Sequence, residues 1–75
     1  MHRRENRDSR QIVLRKIIAV VEQAARLEST VAVETEARRL LRAHPRCPMS
    51  LDELRNEVLR VAAARGCSIE LGEEV

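Results

Sequence analysis

His44 and Cys47 stand three residues apart in "HPRCPMSLDEL" (44–54), a stretch that also holds Pro45 and Pro48. A histidine and a cysteine at this spacing raise two chemistries. The first is metal binding, with Cys67 and His2 as further ligands. Zinc sites normally show two close ligand pairs in sequence. Here Cys67 stands twenty residues beyond Cys47 and His2 lies at the start of the chain, so the second pair is missing. The second chemistry is a thiolate nucleophile. Arg46 and the helix start near Ser50 would favour a thiolate at Cys47, but no third residue is placed to orient the histidine. Enzyme sites are also concave pockets of some hundreds of Å³, which a chain this small has little room to enclose. The sequence therefore predicts no catalytic residue, no metal, no cofactor and no small-molecule substrate. A phosphate-binding loop is excluded too, because neither Gly66 nor Gly72 opens a helix.

The elements that position these residues follow from pattern. Pro45 restricts His44 away from α geometry, so a helix must stop there. Ser50 followed by Glu53 is a capping box, and Met49 with Leu54 is its hydrophobic staple. A helix over 50–65 follows, with Leu51, Leu54, Val58, Val61, Ala62 and Arg65 on its core face. Gly66 supplies the left-handed residue that ends it, and Cys67 packs back on Ala62 in a Schellman cap. "CSIEL" then alternates, as a short strand or an extended lid.

Upstream, Val33, Ala37, Leu40, Leu41 and His44 share one face of a helix over 33–44, with Arg38, Arg39 and Arg42 outside. Ser29 or Thr30 is placed to cap it, although Thr30–Val33 also reads as a short extended piece. The first helix, 9–28 with Asp8 or Ser9 as its cap, carries two apolar seams. Leu14, Ile18, Val21 and Ala25 form one; Val13, Ile17, Val20, Ala24 and Leu27 form the other. A surface helix needs only one such stripe. Residues 1–9 show no apolar periodicity and read as a mobile basic arm, residues 10–71 as one domain, and 72–75 as an acidic tail.

Composition sharpens this. Seventy-five residues make one small domain, and there is no Phe, Tyr or Trp to supply large packets of buried area. Two cysteines offer no disulfide framework. Association is the usual remedy for a small aliphatic core. The fold class predicted is therefore an all-α, three-helix domain in a dimeric assembly. Its function is expected to be protein association without catalysis, as a homodimer or with a protein partner. The residues expected to carry it are Leu14, Ile18, Val21 and Ala25.

The net charge of +2 does not demand an acidic partner, but residues 1–16 hold six basic residues against two acidic ones, a net of +4. Arg3, Arg4, Arg7 and Arg10, with Arg38, Arg39 and Arg42, are the residues a DNA-binding regulator would use. Without aromatics to stack on bases, its target would be duplex DNA. Two segments bear on this alternative. "LLRAHPRCPMSLDEL" (40–54) resembles the first helix, loop and second-helix start of some winged helix-turn-helix proteins. "VLRVAAARGCSIEL" (58–71) resembles the end of their recognition helix running into the wing. The two likenesses assign the helix from Ser50 differently, so only one can hold. The longest apolar run, Ile17–Val21, is far short of the roughly 20 residues of a membrane span. No apolar stretch of a secretory signal follows the basic start, so the cytoplasm is the expected location.

Overall fold

The computed structural model describes residues 2–71, with the backbone alone described for residues 2–8. The acidic tail expected at 72–75 lies outside the described residues. Three helices and one short strand pair follow in the order α1 (His2–Leu27), β1 (Val31–Ala32), α2 (Val33–Ala43), α3 (Leu51–Arg65) and β2 (Ile69–Glu70). This is a small all-α domain, as its apolar periodicities predict.

The first helix begins at His2, seven residues before the expected start. Asp8 and Ser9 therefore lie inside it rather than capping it. No glycine or proline interrupts residues 2–27, and Arg, Glu and Gln are good helix formers. The helix extends back from its anchored part without needing an apolar pattern of its own. Its other end closes on Glu28, which takes a left-handed φ of 55°. The Glu28 amide donates to Ala25 O at 3.2 Å and the Ser29 amide to Ala24 O at 2.8 Å, the two bonds of a Schellman cap.

Of the two readings of residues 30–33 the extended piece holds, since Val31 and Ala32 form a strand, and α2 is capped by Ala32, which makes no side-chain cap bond, rather than by Ser29 or Thr30. The reason is tertiary. Val31 and Ala32 pair in parallel with Ile69 and Glu70, and the Val31 amide donates to Ser68 O at 2.8 Å. The pairing draws Val31 and Ala32 out of the helix, and α2 starts directly after the strand. Glu34 and Glu36 in its first turn offset the missing cap through the helix dipole.

The caps expected of α3 are present, whereas Arg65, expected on its core face, is exposed. The Glu53 amide donates to Ser50 Oγ at 3.1 Å, and the Ser50 amide donates to Glu53 Oε1 at 2.8 Å. Met49 and Leu54 are both buried. Gly66 has φ 76°, with its amide on Ala63 O and the Cys67 amide on Ala62 O, each at 3.0 Å. The helix is unbroken over fifteen residues. It therefore lacks the break that the second winged-helix likeness requires. No further helix follows it among the described residues, so the first likeness lacks its recognition helix.

The third helix packs against both α1 and α2 and forms the centre of the domain. Its Leu54, Val58 and Ala62 meet Val13, Ile17, Val21 and Ala24 of α1 and Val33, Ala37 and Leu40 of α2 in one core, with no buried polar or charged residue among the described ones.

Candidate functional site

The residues that raised chemistry serve the backbone. Cys47 Sγ accepts from the Met49 amide at 3.4 Å, and the Cys47 amide donates to His44 O at 2.9 Å. The two residues thus hold the chain in the bend that leads from α2 to the cap of α3. Cys67 lies at the other end of α3, where its thiol donates to Val21 O at 3.8 Å. Both thiols are free and half-buried. Among the described residues no three His, Cys, Asp or Glu side chains come together to hold a metal ion.

The charged residues form ion pairs between and along helices. Glu34 on α2 receives Arg55 of α3 at 2.7 Å and Arg38 of its own helix at 2.5 Å, and Arg55 also binds Asp52. The hydrogen bond from Arg55, then that from Arg38, holds the Glu34 carboxyl below its ordinary value. Arg65 ties α3 to α1 through Glu22 at 2.9 Å. Of the arginines singled out for DNA, Arg38 leans on Glu34 and Arg39 lies 3.7 Å from Glu36. Arg10 and Arg42 are exposed. The side chains of Arg3, Arg4 and Arg7 lie outside the described residues.

The association seam is divided by the fold. Val21 is fully buried in the chain's own core, Leu14 and Ala25 are half-buried, and Ile18 is 48% exposed. The core stripe of α1 is Val13, Ile17, Val21 and Ala24, which takes members from both predicted seams. Apolar side chains are left on each flank of that stripe. Ile18 stands on one flank. Ile12, at 48% exposure, and Leu27, at 63%, stand on the other.

The Ile12–Leu27 flank borders two grooves. One, of about 310 Å³, lies between α1 and the 44–47 bend and is lined by Ile12, His44, Pro45 and Cys47. The other, of about 410 Å³, lies between α1 and α2, with Val20, Ala24, Leu27 and Val31 as apolar walls and Glu36 and Arg39 at its margin. Glu36 is an acidic residue in the first turn of α2. Its Oε1 is buried and accepts no hydrogen bond, with Arg39 at 3.7 Å too distant to donate one.

No family model, curated protein or solved structure matches the chain. What it is for must be argued from its own surface. No helix among the described residues is long and apolar enough to cross a membrane.

Proposed function

We propose that the chain is a non-catalytic association module that forms a homodimer through α1. One observation carries this reading: α1 keeps exposed apolar side chains, Ile12, Ile18 and Leu27, outside the core stripe that packs on α3. Burying such surface against a second chain adds about 25 cal/mol per Å² to a core that is small and free of aromatics. The region expected to do this from sequence, Leu14, Ile18, Val21 and Ala25, keeps its place on α1 but gives up Val21 to folding. A DNA-binding role draws less support, because Arg38 is engaged by Glu34 of its own helix.

Sedimentation velocity at micromolar concentration tests the proposal. A species of twice the 8.6 kDa chain mass is expected, and a monomer throughout that range would overturn it.

A further inference from the structure

The two flanks of α1 differ in what they offer a second copy. On the groove side, Ile12, Lys16, Ala19, Val20, Gln23 and Leu27 form a stripe about 100° wide, from the helical rotation of ~100° per residue. All are exposed except Val20, which is half-buried. This stripe is self-complementary when reversed. Turned about a two-fold axis between Ala19 and Val20, Ile12 meets Leu27, Lys16 meets Gln23, and Ala19 meets Val20. The other flank has the same symmetry in sequence, Leu14 with Ala25 and Ile18 with Val21. There the pairing fails, because Val21 is fully buried and Ile18 of a second copy would find no mate.

Resting on the reading of α1 as a dimerisation helix, we infer that a second copy of this chain lies antiparallel along the Ile12–Leu27 stripe, centred between Ala19 and Val20. The interface is isologous, so every contact occurs twice. Leu27 of each copy enters the groove beside Ile12, Pro45 and Cys47 of the other. Ile12 of each copy lies against Leu27 in the groove between α1 and α2. Small Ala19 at the centre lets the helix axes approach to about 8–10 Å. Charge fits the same register. Lys16 of one copy comes opposite Gln23, which lines the groove bordered by Glu36. Its ammonium enters the groove that the Glu36 carboxylate borders, where the neighbouring Arg39 lies 3.7 Å from that carboxylate.

Disulfide trapping tests the register. Ile12→Cys and Leu27→Cys are prepared separately in the otherwise native chain and mixed in a glutathione redox buffer, and the cross-linked peptides are identified by mass spectrometry, which separates them from any involving Cys47 or Cys67. Both positions are exposed, and circular dichroism checks that each variant keeps its helices. Antiparallel packing brings residue 12 beside residue 27 of the other copy but leaves the two residues 12 about 22 Å apart along the helix axis, beyond the ~7 Å Cα reach of a disulfide. The mixture is expected to yield the 12–27 cross-linked dimer at least ~10-fold over self-cross-linking of either variant. Leu27→Asp should weaken the dimer at least ~10-fold, the effect of losing about 1.4 kcal/mol, whereas Ile18→Asp should not. Efficient 12–12 cross-linking would overturn the inference in favour of a parallel pair. A dimer by sedimentation that gives no 12–27 cross-link, or that Ile18→Asp dissociates, would overturn the inference and leave association through another face. A monomer would overturn both readings.

Discussion

Glu28 and Gly66 end α1 and α3 in the same left-handed geometry, with φ of 55° and 76°. Each lets its own amide and the next one return to the last carbonyls of the helix. Only one of the two is a glycine. A residue with a Cβ is strained in this region by about 1–2 kcal/mol, so α1 closes at a cost that α3 avoids. Glu28→Gly should stabilise the domain by about 0.5–1 kcal/mol, the strain relief less the entropy of a new glycine. Gly66→Ala should destabilise it by about 1 kcal/mol. No heavy atom lies within 4 Å of an added Cβ at Gly66, so that loss is conformational rather than steric. Urea unfolding of the two variants checks both signs.

Val21 and Ile18 are three residues apart on α1 and have different fates. Val21→Asp places a carboxylate where the native side chain is fully buried, among apolar residues with no charged partner. An unpaired buried charge costs several kcal/mol, which is comparable to the whole stability of a domain of this size. Loss of the helical circular dichroism spectrum is expected. Ile18→Asp, at a half-exposed position, should leave that spectrum intact and change stability by less than about 1 kcal/mol.

Ser50→Ala removes one half of the capping box and leaves the Glu53 amide without its acceptor. A loss of about 1 kcal/mol is expected, equivalent to roughly 4–8 °C in Tm for a domain of this length. Thermal melting followed at 222 nm reads it.

Glu34 gives stability a dependence on pH. Its carboxyl is held below the ordinary value of 4.5 by Arg55 and then Arg38. A group whose folded pKa is depressed contributes stability that is fully present above its unfolded pKa. That contribution is lost as pH falls from about 4.5 through the lower folded value. The urea midpoint of the wild type should therefore drop more steeply below pH 4.5 than that of Glu34→Gln, which has no proton to take up there. The network is solvent-exposed, so the difference should shrink in high salt.

Duplex DNA offers a check from the opposite direction. Phosphate binding through several arginines gives a steep loss of affinity with salt. Fluorescence anisotropy should detect at most weak, non-specific binding at low ionic strength. A tight complex that Arg10→Glu and Arg42→Glu abolish would instead support the regulator.

Much of the fold was legible because its signals are local. Pro45, the Ser50–Glu53 box, the Met49–Leu54 staple and Gly66 each act within a few residues, so they can be read without knowing what packs where. The limits of α1 and α2 were less legible for two reasons. Residues 2–7 carry no apolar period, Asp8 and Ser9 look like a cap although the helix runs through them, and the strand at Val31–Ala32 is fixed by its pairing with Ile69 and Glu70. The candidate surface was harder still. A wide apolar face on α1 shows that more than one stripe must be covered, but not which stripe the chain itself covers.

The amino-acid sequence alone thus determined three helices, the bend that contains His44 and Cys47, and an excess of apolar surface on the first helix. Only the tertiary structure decided how that excess is divided. Packing on α3 rotates Val21 into the core, leaves Ile12 and Leu27 beside two grooves, and buries Glu36 Oε1 without a donor. These outcomes depend on contacts between residues far apart in the chain, which a helical period, being a property of neighbours, does not encode.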